Sequence, residues 1–170
     1  MDTAPVFHCP RWNELPTLPL YMDQVVFVLE ETFAPLGGGT EQALTPAMIN
    51  NYVKKKILPP PVKKKYSRDH LALLVFLGVM KRTLSMAEVS GLWQLLAAAF
   101  GAEAAYDTFS ERLEQAMSDT FLQKKLPQKF FSPGDNDALH ALDAALVSLT
   151  GRLYVQQALA AGAPAGEPAK

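Results

Sequence analysis

The chain has one cysteine, Cys9, which excludes an internal disulfide. Long apolar runs are also missing. The longest, Leu71 to Met80, covers 10 residues, roughly half of what a bilayer span requires. Met1-Asp2-Thr3-Ala4-Pro5 offers neither a basic n-region nor an apolar h-region, so no signal peptide is expected. His8 adjoins Cys9, but His70 and His140 are distant in sequence and no second cysteine completes a zinc pattern, so no metal site is expected. Gly37-Gly38-Gly39-Thr40 lacks the Gly-Lys-Ser/Thr of a phosphate loop and reads as a flexible connector, and no Gly-x-Ser-x-Gly elbow occurs. Glu30/Glu31, Glu111/Glu114 and Asp135/Asp137 are carboxylate pairs explained by capping and solvation. Nothing reads as an active site. The expectation is a cytoplasmic protein with no membrane span, not an enzyme, and with no cofactor.

A net charge of either sign is missing too: 16 Lys and Arg face 17 Asp and Glu, for −1 overall. The positive charge is nevertheless concentrated. Nine of the 16 basic residues lie between Lys54 and Arg82, together with one acid, Asp69. A neutral chain that gathers its cations on one stretch creates a local field suited to a polyanion, although a charge run can also be a merely solvated face. With 170 residues, 49% apolar and 19% charged, the composition is that of a folded protein.

Patterning divides the chain into four stretches. Residues 1–20 are rich in proline and carry Phe7, Trp12 and Leu15, an extended arm laid on the body. Residues 21–102 hold a helix over 21–33, a short helix capped by Thr45-Pro46 that ends before Pro59-Pro60-Pro61, a buried helix opened by Ser67, and a helix opened by Ser85-Met86-Ala87-Glu88. Residues 103–160 form a helical C-terminal region: one helix starting at Asp107 or Thr108, another at Asp135. Residues 161–170 read as a disordered tail.

This order of parts is that of a helix-turn-helix with a basic wing. The fold expected is mainly α, a winged helix-turn-helix followed by a helical C-terminal region. The short helix presents Asn50, Asn51, Lys54 and Lys55, side chains able to reach base edges and phosphates. Beyond the prolines, Lys63, Lys64, Lys65 and Arg68 would lie along the backbone as positioning contacts.

Met48-Ile49-Asn50-Asn51-Tyr52, Ile57-Leu58-Pro59-Pro60, Lys64, Tyr66 and Leu84-Ser85-Met86-Ala87-Glu88-Val89 occur in the order of the MerR-type DNA-binding domain, which the chain resembles. Two glycines of that pattern are replaced, by Lys56 and Thr83, and lysines stand for the wing's Gly-Tyr-Arg. The pattern also includes a long single C-terminal helix that makes an antiparallel dimer, and none is expected here. A closer resemblance, over roughly 12–122, is to a bacterial family known only as a domain of unknown function, DUF1836. It rests on Trp12-x-Glu14-Leu15-Pro16, Leu20-Tyr21-x-Asp23-Gln24-Val25, Leu44-Thr45-x-x-Met48-Ile49-Asn50-Asn51-Tyr52-Val53-Lys54 and Pro60-x-x-Lys63-Lys64-Lys65-Tyr66. The MerR resemblance implies double-stranded DNA as partner and a transcriptional regulator, and carries over Asn50, Tyr52, Lys54, Lys64 and Tyr66 as contact positions; Thr45, Asn51, Lys55, Lys56, Lys63, Lys65 and Arg68 of the same basic stretch are expected beside them at the interface. Tyr52 and Tyr66 are equally readable as core or wing supports.

Three alternatives stay open. The same basic face could dock an acidic protein partner without touching DNA. Trp93, Phe100, Phe109 and Phe121 could line a small-molecule pocket. Leu139, Leu142, Leu146, Leu149 and Leu153, spaced by three and four, suit either packing inside the chain or homodimerisation.

Overall fold

Leu71 to Met80 and the preceding His70 are all buried, which makes their helix the axis of the molecule. An apolar surface all round requires neighbours all round, and the remaining helices supply them. The computed structural model describes residues 7–37, 44–127 and 132–162. Among these there are six α-helices and no strand: α1 (Met22–Phe33), α2 (Pro46–Lys54), α3 (Arg68–Met80), α4 (Met86–Phe100), α5 (Ala102–Met117) and α6 (Asp137–Gly162). Buried side chains from all six join one hydrophobic cluster. Residues 1–6 of the arm, Gly38-Gly39-Thr40 of the connector and 163–170 of the tail lie outside the described residues.

Helix starts obey local chemistry. The Thr45 hydroxyl accepts from the Met48 N–H at 3.2 Å, with Pro46 in the first turn. Ser85 and Glu88 close a reciprocal box: the Ser85 N–H donates to Glu88 Oε2 at 2.7 Å and the Glu88 N–H to Ser85 Oγ at 3.3 Å. Where α1 crosses α3, Gly78 leaves room for the Phe33 ring, which an added Cβ would overlap.

α5 starts at Ala102, five residues before Asp107. Gly101, at φ +80°, ends α4 and caps α5, so the turn needs no other residue. Asp107, read from sequence as a cap, instead accepts the Trp12 N–H at 2.7 Å. Thus it fastens the arm rather than starting a helix.

The arm is held at several points. Phe7, Cys9 and Leu15 are buried, and Trp12 meets Tyr106 edge-on at 6.4 Å. Arg11 forks onto Glu114 of α5 at 3.0 and 2.9 Å, while the Cys9 N–H donates to the same carboxylate at 2.8 Å. Burial pushes the Glu114 carboxyl up, but the Arg11 and Cys9 hydrogen bonds outweigh it and the pKa is lowered overall.

α6 covers α4 and α5. Leu142, Leu146, Leu149 and Leu153 are buried and Leu139 packs against the same core, so the leucine seam is used within the chain and is not a free dimer surface. Arg112 of α5 fixes its register, donating to Asp143 at 2.7 and 2.6 Å and to Asp135 at 3.1 Å. α6 begins at Asp137, two residues after the expected Asp135, and runs 26 residues. A long C-terminal helix is therefore present, contrary to expectation.

Candidate nucleic-acid interface

α2 is short and two-faced. Ile49 and Tyr52, three apart, face the core, and Asn50, Asn51, Lys54 and Lys55 are exposed. Its end is tightly built. The N–H groups of Ile57 and Leu58 both donate to the Tyr52 carbonyl, at 2.9 and 3.2 Å. Between them and the helix, Lys56 stands at φ +59°. This is the position at which the MerR pattern carries glycine, and the left-handed backbone explains why. Leu58 is fully buried and anchors the base of the proline segment.

Residues 59–66 fold back as a hairpin pinned to α3 by His70. The Ser67 N–H can only donate, so His70 Nδ1 is its acceptor, at 3.0 Å. That leaves Nε2–H to donate to the Pro59 and Pro60 carbonyls, at 3.1 and 3.3 Å. The two prolines therefore serve through their carbonyls. At the tip, Val62 and Lys65 exchange both backbone hydrogen bonds, at 3.0 and 2.9 Å, around Lys63 and Lys64. Both intervening residues have positive φ, +50° and +63°, the signature of a type I′ turn. Such turns favour Asn-Gly, and each L-residue in this region costs about 1–2 kcal/mol. At the base of the hairpin, Tyr66 exchanges hydrogen bonds with Leu20 at 2.9 and 2.8 Å, adding the arm as a further edge.

The structure separates the sequence candidates into two groups. Thr45, Asn50, Asn51, Lys54, Lys55, Lys56, Lys63 and Lys64 are exposed, Thr45 with its hydroxyl committed to the cap. Among the described residues, no carboxylate lies within ion-pair distance of Lys54, Lys55, Lys56, Lys63 or Lys64. The second group turns inward. Tyr52 and Tyr66 are 4% and 3% exposed, and burial raises both phenols' pKa values. They are core residues: Tyr52 continues the Ile49 stripe, and Tyr66 meets the His70 ring edge-on at 5.4 Å. Arg68 is also spent internally, donating to the Leu15 carbonyl at 3.1 Å with its Nε buried. Lys65 is intermediate, its ammonium 5.0 Å above the Tyr21 ring.

Of the aromatic quartet, Phe109 is fully buried in the core, and Trp93, Phe100 and Phe121 are half-buried. Trp93 meets the Phe76 ring at a tilt, 5.1 Å between centroids, Phe109 meets it edge-on at 4.9 Å, and Phe121 packs on Tyr154 at 5.8 Å. Phe100 borders an open depression at the α4–α5 turn, with Glu103, Asp107 and Glu111. Among the described residues no group of His, Cys, Asp or Glu is arranged to hold a metal, and no helix is long and apolar enough to cross a membrane.

Sequence reasoning missed Tyr21 and Val62, which border the lysine tip. Tyr21 is 51% and Val62 70% exposed. The signal was the pairing of Leu20 with Tyr66, a contact across 46 residues that no local pattern discloses.

No curated protein and no solved structure matches the chain. A family model, described as Domain of unknown function (DUF1836), matches residues 10–109, a span from the arm through α2, the lysine hairpin and α3 to α5. The chain belongs to the DUF1836 family.

Proposed function

We propose that the chain is a DNA-binding protein of the MerR-like winged helix-turn-helix type, a transcriptional regulator that grips duplex phosphates through the lysines of α2 and the hairpin. The observation that carries this reading is backbone conformation. Lys56, Lys63 and Lys64 all occupy left-handed φ, where glycine or asparagine would be less strained. Lysine there adds nothing to the core, since all three are exposed. Strain retained at exposed cations is best explained by what the cations bind.

Charge supports the same reading. Five lysines without carboxylate partners among the described residues sit on a chain of net charge −1, so the field belongs to this surface and not to the protein as a whole. Asn50 and Asn51 supply amides of the kind that read adenine edges, and α2 is exposed along that side. The hairpin lysines serve as positioning contacts that carry no sequence information.

The test is Lys63→Ala/Lys64→Ala measured by fluorescence anisotropy against unrelated duplexes. Both residues are exposed, so the variant folds. Affinity falls for every duplex alike and the log–log salt slope becomes shallower by about 2, from roughly 0.9 per lost phosphate contact. Unchanged affinity and slope would remove the hairpin from the interface. Binding to an acidic protein, with none to DNA, would favour a protein-docking module.

A further inference from the structure

We infer that the hairpin face beside the lysine tip is a stacking platform for an unpaired nucleobase, and that the basic surface takes DNA with single-stranded character as well as duplex. This rests on the reading of the lysines as phosphate contacts and adds a ligand class to it.

Backbone register builds the platform. The antiparallel Leu20–Tyr66 bridge sets Tyr21 opposite Lys65, and the Val62–Lys65 bridge sets Lys65 opposite Val62. Residues directly opposite each other across paired chains project to the same side. Tyr21, Lys65 and Val62 therefore form one row across three short segments, and the Lys65 ammonium 5.0 Å from the Tyr21 centroid bears this out. The row is open: Tyr21 remains 51% exposed despite the ammonium over its ring, and Val62 is 70% exposed.

Phosphate binding alone has no use for an exposed phenol and an exposed isopropyl group beside three lysines. Single-stranded nucleic acid has a use for both. Its bases present faces that stack on aromatic rings, while its backbone tracks neighbouring cations. Here the aromatic face, contributed by the segment paired to the hairpin base, lies beside an ammonium that polarises it and next to the tip lysines. In an intact duplex the base faces are covered by their neighbours, so Tyr21 can act only on an unstacked base.

The experiment compares a 12-nucleotide oligothymidine with a duplex of the same length, by anisotropy at fixed salt, for the wild type, Tyr21→Ala and Tyr21→Phe. The α1 start survives both changes, because the Tyr21 contribution to it is a backbone N–H donated to Gln24 Oε1 at 2.9 Å. Circular dichroism confirms the fold. Tyr21→Ala is expected to weaken oligothymidine binding about 5- to 150-fold, the loss of one stacked base, with duplex affinity within about twofold. Tyr21→Phe keeps the ring and restores single-strand binding. Equal loss for both ligands, or no loss for either, overturns the platform while leaving the phosphate contacts intact. Wild-type protein that binds neither ligand overturns the DNA-binding reading itself.

Discussion

Single residues carry the clearest trade between stability and binding. Lys63 and Lys64 hold a turn that Asn-Gly would form with less strain. Lys63→Asn/Lys64→Gly should therefore raise stability by about 1–2 kcal/mol, seen as a higher melting temperature, while weakening duplex binding. A variant that is both no more stable and no weaker in binding would deny that the strain serves the charge. Cys9 gives an independent check on the core. Burial pushes its thiol up to about 11, only partly offset by the Ser110 hydrogen bond. At pH 8 it should resist alkylation in the folded protein and react fully in denaturant. Rapid labelling of native protein would show that the arm does not seal it. At this scale the sequence is half legible. Asn50, Lys54 and Lys63 stand exposed as their chemistry suggests. Tyr52, by contrast, obeys the three-residue spacing from Ile49, and Arg68 turns inward to a carbonyl contributed by the distant arm.

Elements show how local signals and long-range contacts divide the work. Caps at Thr45 and Ser85 are local, and helices start there as their sequences dictate. The start of α5 is hidden in the sequence because Asp107 and Thr108 are common cap residues. Gly101 already turns the chain, and Asp107 is drawn to the arm by the Trp12 N–H, a partner 95 residues away. The arm's other fastening, Arg11 and Cys9 on Glu114, makes it sensitive to acid. Glu114, lowered by Arg11 and the Cys9 N–H against the upward push of burial, stabilises the fold above the unfolded carboxylate range. This contribution fades as pH falls through the lower, folded value. Glu114→Gln should cost about 1–3 kcal/mol at pH 7, read from chemical denaturation, and flatten the loss of stability below about pH 4. An unchanged acid profile would place the acid sensitivity elsewhere. Where α1 meets α3, Gly78→Ala should destabilise by about 1–3 kcal/mol, because the added Cβ would overlap the buried Phe33 ring and force it to shift.

For the whole molecule, α3 decides the architecture and the lysine surface decides what is proposed for it. The apolar run Leu71 to Met80 announces a central helix without any homologue, since a surface apolar on every side has to be enclosed. The leucine spacing of α6 is equally visible, but spacing alone does not say whether the facing helix belongs to the same chain. Here α4 and α5 provide it. Juxtapositions such as Tyr21 with Lys65 depend on which segments pair, and only the folded chain reveals them. The central proposal is that five lysines on α2 and the hairpin tip act together on nucleic-acid phosphates. Its most direct test is the affinity of the full chain for a random duplex across a salt series from about 50 to 200 mM, with a slope of about −4 to −5 in log affinity against log salt expected from five contacts. Salt-independent binding, or no binding at the lowest salt, would contradict it.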